Sequence, residues 1–165
     1  MNHLNKKTEE KTIDPTFSAV SMALIHRQDG HWLTLSDSLQ AYLWLPFTPR
    51  YLGEKAKENA QRAIAQETGL IFDRNELDFF CSGQLDMDSK KDLKFPFLWA
   101  PPKNKNVMVD VFQSPWDSFC GYPSIQHNGY ILTWSKPIHL IRLGVYPHLY
   151  EIIYQDFEKK IKNKS

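Results

Sequence analysis

The stretch LPFTPRYLGEKAKENAQRAIAQETGL, residues 45–70, constrains this chain more than any other segment, because it prescribes a loop, a helix and a stop in fixed order. Pro46 stiffens the entry. Gly53 permits a tight backbone turn just before Glu54, whose negative charge suits the N-terminal end of a helix dipole. Good helix formers then run to Gly69, a residue that ends helices in a conformation others resist. The pattern predicts a helix over residues 54–68. On it Ala56, Ala60 and Ile64 recur at four-residue steps, a narrow apolar stripe whose small side chains allow close packing on a sheet.

The remaining elements suggest that sheet. Residues 17–26 are apolar and strand-like, Asp29-Gly30 is a hairpin turn signal, and residues 31–35 resume as a short strand. Residues 43–46 form another short apolar run, and residues 47–53 read as a loop. Past the helix, residues 77–85, 94–99 and 107–112 carry strand-type side chains, with the charged DMDSKKD between the first two. No helix-length pattern separates them, which favours an antiparallel or mixed sheet over a βαβ repeat. Residues 114–129 read as a long loop containing Trp116, Phe119 and Tyr122, and residues 130–134 as a strand. Residues 147–161 read as a closing helix with Leu149, Ile152, Ile153, Phe157 and Ile161 on one side. The expected organisation is a flexible tail over residues 1–14, a single domain over 15–161 and a basic end over 162–165.

Composition narrows the setting. With 165 residues, 42% of them hydrophobic, the chain can bury one sizeable core. Twenty basic against nineteen acidic residues leave a net charge of +1, which gives no field to attract nucleic acid or an anionic membrane. Cys81 and Cys120 are too few for a disulfide framework and lack the spacing of a zinc site, so core positions in a reducing cytoplasm are expected. No apolar run is long enough to span a bilayer, and the first dozen residues lack the apolar core of a secretory signal.

Aligned without a gap, Thr48, Glu54, Arg62, Ala63, Ile64, Gln66, Glu67, Gly69 and Leu70 fall on the pattern G-x5-E-x7-R-E-U-x-E-E-x-G-U, where U is aliphatic, and six of the nine fit. On these residues the segment resembles the Nudix box, and the chain is similar to the Nudix hydrolase family with a degenerate box. The resemblance implies an α/β fold, a Nudix-like α/β/α sandwich with a mixed β-sheet. It implies structural roles for Gly53, Glu54, Arg62, Ile64, Gly69 and Leu70, with Glu54 paired to Arg62. A partly exposed pair of this kind contributes about 1 kcal/mol.

The departures are chemical. Family enzymes hold Mg2+ on three helix glutamates that share one face, and here that face carries Ala63, Gln66 and Glu67. Only Glu67 remains as a metal-binding and catalytic residue. No Asp or Glu occurs between residues 118 and 150, so the segment before Trp134 supplies no second acid. His127 is the nearest ionisable side chain there, a general base on one reading and a turn residue on the other. Phe47-Thr48 replaces the glycine pair that follows the family's box proline. Arg50 and Tyr51 in the same loop would bind an anion and an aromatic base, or else be a solvated Arg beside a packed Tyr. Asp86, Asp88 and Asp92 begin like a calcium loop but lack its turn glycine, and Cys120 with His127 has no group to orient it as a nucleophile and base.

The favoured expectation is a Nudix-fold protein with an impaired metal site that binds a nucleotide-like ligand or a protein partner. The alternative is an active hydrolase, dependent on Mg2+ or Mn2+, that cleaves a nucleoside diphosphate linked to another group. A structural domain with no small ligand is the third reading. Convergence of Glu58, Glu67, Asp110 or another carboxylate on one pocket separates them.

Overall fold

An almost unbroken apolar strand, Ala19–His26, lies inside the sheet, and its composition follows from having both faces covered. The computed structural model describes residues 12–14, 19–36, 42–85 and 107–160. In chain order they form β1 (Ala19–His26), β2 (Trp32–Ser36), β3 (Leu43–Trp44), β4 (Phe47–Pro49), α1 (Ala56–Thr68), β5 (Asp78–Gln84), β6 (Met108–Pro115), β7 (Gln126–His127), β8 (Tyr130–Ser135), α2 (Pro137–Leu143) and α3 (Pro147–Lys160). The sheet runs β5-β6-β1-β2-β8-β7, with β3 added to β2 and β4 to β1. β1 and β6 are parallel, in register from Ala19 opposite Met108 to His26 opposite Pro115. The other strand pairs are antiparallel, so the sheet is mixed and the fold is α/β.

Alternation along β1 places helices on both faces. Ser21 donates its hydroxyl to the Ala56 carbonyl of α1 at 2.7 Å, whereas His26, five residues on and therefore on the opposite face, meets Phe157 of α3 edge-on. Gly83 of β5 lies in line with Val109 and Val20, and its missing side chain leaves room for Leu149 of α3. Trp32, Trp44 and Tyr150 are the largest fully buried side chains.

Asn59 fastens α1 to the sheet. It is fully buried, accepts the Ser21 backbone N–H at 2.7 Å and donates to the Thr48 carbonyl at 3.2 Å. Asn59→Ala would leave the buried Ser21 N–H without an acceptor, and is expected to lower unfolding free energy by about 2 kcal/mol in urea titrations. An unchanged midpoint would show that water replaces the amide.

Several boundaries differ from the sequence reading. α1 starts at Ala56 because Glu54 is bound to the loop and Lys55 is the extended residue at the helix entry. Residues 47–49 are strand, because they complete the outer pairing of β1. Residues 12–14, read as part of a flexible tail, run beside the box loop through Leu52 N–H to Thr12 O and Asp14 N–H to Arg50 O, both 2.9 Å. α2 was not anticipated, since its seven residues are too few for a helical period to show. Ile152 is 48% exposed, and Tyr150 takes the inward place instead. The strand read at 94–99, the acidic stretch with Asp86, Asp88 and Asp92, Ile161 and the end at 162–165 lie outside the described residues. No helix among the described residues is long and apolar enough to cross a membrane.

Candidate functional site

The loop before α1 is held by one guanidinium. Arg62 donates Nε–H to Glu54 Oε2 and Nη2–H to Glu54 Oε1, each at 2.8 Å, and Nη2 also reaches the Pro49 carbonyl at 2.6 Å. Nη1 donates to Gln66 Oε1 at 3.1 Å. The planar group lies over the Tyr51 ring, 3.6 Å from its centre, and Glu54 Oε1 accepts the Tyr51 backbone N–H. The pair is largely buried, with 17% of the Arg62 and 8% of the Glu54 side chain exposed. Gly53, at φ +75, makes the turn that brings Glu54 back onto the helix.

Beside this clamp opens a cavity of about 590 Å3, walled by the box loop, the C-terminal half of α1 and the β7–β8 hairpin. Tyr51, Arg62, Gln66, Glu67, His127 and Tyr130 all contribute to it. Glu67 is 7% exposed, and its Oε2 is buried without a hydrogen-bond partner. Burial pushes its carboxyl up to about 7, with no basic neighbour offsetting the loss of water. Ile64 and Leu70 are buried anchors on either side.

Gly69 positions the far wall. At φ +76 it ends α1, donating its N–H to the Ala65 carbonyl at 3.1 Å. A side chain there would come within 2.9 Å of the His127 ring, so the glycine also lets that ring approach. His127 is carried by β7, which the sequence reading took as loop. The overlooked signal is Asn128-Gly129: both residues have positive φ, 53 and 84, as a two-residue hairpin turn requires. Asn128 and Tyr130, also missed, line the cavity, and the Asn128 amide donates to the Gln66 carbonyl at 3.4 Å.

Other candidates stand elsewhere. Arg50 does not line this cavity; its Nη2 bonds Asp110 at 3.2 Å and the Ser21 hydroxyl at 3.1 Å. Asp110 in turn accepts from Ser82 at 3.0 Å. Ala63 is fully buried in the core, and Glu58 is not on the cavity wall. Among the described residues no group of three or more His, Cys, Asp or Glu side chains lies close enough to hold a metal ion. The donors in the cavity do not suit Mg2+ either: the Gln66 oxygen faces Arg62, and one carboxyl pushed towards its neutral form is a poor ligand for a hard cation. Cys120 is buried, with its thiol pushed up to about 11, first by burial, so it is no nucleophile. Trp116 packs inward and bonds the Gly121 carbonyl, whereas Phe119 and Tyr122 are exposed and do not cover the core as a loop of aromatics would.

A mixed sheet between helices, with a Glu-Arg clamp joining the loop to the helix that follows it, defines the class. No protein-family model and no curated protein sequence matches the chain. Solved structures do. A MutT protein from Bacillus halodurans superposes with a TM-score of 0.61 at 14% identity, covering 82% of this chain and 79% of that one. A NUDIX hydrolase from Nitrosomonas europaea gives 0.61 at 17%, covering 86% and 88%. A C. elegans Ap4A hydrolase in a binary complex gives 0.55 at 17%, covering 87% and 98%. This protein has the Nudix fold.

Proposed function

We propose that this protein is a Nudix-fold binder with an impaired metal site, and that the cavity beside α1 takes a nucleotide-like ligand without hydrolysing it. One observation carries the reading. Glu67 is the single carboxylate among the described residues of the cavity wall, and its Oε2 is buried without a hydrogen-bond partner. The nucleotide part is supported by the structures of like fold, which include an Ap4A hydrolase, and by the aromatic walls Phe47, Tyr51 and Tyr130. Binding of a protein partner is supported by exposed apolar side chains outside the cavity wall, since Phe119, Tyr122, Ile125 and Ile71 are each at least 74% exposed.

A thermal-shift panel of nucleotides, dinucleotides and nucleotide sugars, with and without Mg2+ or Mn2+, tests the binder, because a ligand of the native state raises its apparent stability. The expected outcome is a shift for some members that does not require the metal, with negligible turnover of ADP-ribose, NADH or nucleoside triphosphates. Strong Mg2+-dependent turnover abolished by Glu67→Gln would instead establish the active hydrolase. No shift with any compound would remove the nucleotide reading and leave the apolar surface.

A further inference from the structure

We infer that the cavity recognises the uncharged, N–H-bearing ring of its ligand, the nucleoside end, with Glu67 as the acceptor of that N–H, and that it makes no strong contact with a phosphate chain. This deepens the function proposed above and rests on it. Two independent observations lead there. The first concerns cations. A guanidinium has five N–H donors, and four of those on Arg62 are engaged, two by Glu54, one by Pro49 and one by Gln66. Its charge is matched by the buried Glu54 carboxylate, and its face is covered by Tyr51. Arg50, the other guanidinium of the box loop, is held by Asp110 outside the cavity wall. A pyrophosphate entering here therefore meets Arg62 as the one guanidinium among the described residues of the cavity wall, and would displace bonds already made.

The second observation concerns Glu67. More than nine-tenths of this residue is buried, it forms part of the cavity wall, and one carboxyl oxygen has no hydrogen-bond partner. A buried acceptor without a donor is unfavourable, and a rotation of the carboxyl towards the cavity would let a ligand N–H relieve it. A phosphate brings no N–H to the carboxyl, and meets like charge wherever Glu67 is ionised. The remaining walls include three aromatic residues, Phe47, Tyr51 and Tyr130, chemistry that suits a flat ring, while His127 stands over Gly69.

The test is calorimetric titration of the full-length chain with adenosine, guanosine, cytidine and uridine, with the corresponding triphosphates, and with sodium pyrophosphate. At least one nucleoside should bind within about threefold of its triphosphate, and millimolar pyrophosphate should not displace it. Glu67→Leu, which keeps the bulk and removes the acceptor, should weaken that nucleoside by about tenfold or more. Glu67→Gln, which keeps an acceptor oxygen, should lose less, and it replaces the Leu variant should that one fail to fold. A triphosphate bound tenfold more tightly than every nucleoside, with pyrophosphate competing, would overturn the inference and leave the binder standing. Unchanged nucleoside affinity in the Glu67 variants would also overturn it. If neither nucleosides nor triphosphates bind, the proposed function falls as well.

Discussion

Arg62→Ala is expected to lower the free energy of unfolding by about 3 kcal/mol, roughly three times what a surface ion pair would contribute. The difference follows from burial. Both side chains are mostly out of water, so deletion of the guanidinium leaves the Glu54 carboxylate in place without its two bonds to Arg62, and takes the 2.6 Å donor from the Pro49 carbonyl. Arg62→Lys keeps the charge but not the two-pronged bond or the flat face over Tyr51, and should recover less than half of the loss. Glu54→Gln combined with Arg62→Met removes both charges, and should be less damaging than Arg62→Ala alone. Urea denaturation of the four proteins measures this. A loss below about 1 kcal/mol for Arg62→Ala would mean that the clamp opens to solvent.

The clamp was legible in the sequence through the resemblance of residues 45–70 to the Nudix box, which implies the pairing of Glu54 with Arg62. Gly53, Glu54, Arg62 and Gly69 lie within one loop and one helix, so that a gap-free motif is enough to place them. The strands were legible for a similar reason: β1, β2, β6 and β8 are runs of branched and aromatic residues bounded by turns. Where length was short the pattern failed, as in β4, β7 and α2, because two to seven residues do not display a period. The sheet order, with β1 parallel to β6, is a tertiary choice that strand composition does not encode.

The cavity was harder to anticipate. Arg50 and Tyr51 are adjacent in sequence, yet Tyr51 lies at the cavity with Arg62 over its ring while Arg50 pairs with Asp110, because consecutive side chains leave an extended segment on opposite sides. His127 reaches the end of α1 from 58 positions further along the chain than Gly69, and only the Asn128-Gly129 turn hinted at a hairpin there. Asn59 appeared as an ordinary helix residue, since nothing local shows that its amide meets Ser21 of β1.

Glu67 provides a sharper test, since its state sets the sign of a pH dependence. The folded carboxyl is raised from 4.5 to about 7 by burial. The native chain therefore binds more protons than the unfolded chain between these values, and this residue's contribution to stability falls as pH rises through that window. The full loss, about 3 kcal/mol, is present above pH 7. His26 acts in the opposite sense: burial lowers its pKa below 6.5, so its contribution falls as pH drops through that range. The two slopes oppose, and a curve for the native sequence alone does not separate them. Glu67→Gln does. Variant and parent should be nearly equal near pH 4.5, and the variant more stable by about 3 kcal/mol at pH 8, by urea denaturation at each pH. A carboxylate that held a divalent cation would be stabilised in its charged form, so millimolar MgCl2 at pH 8 would close the gap. The gap is expected to stay, because the described residues of the cavity wall provide no second carboxylate to share the ion; its closure would identify a working metal site and restore the hydrolase reading.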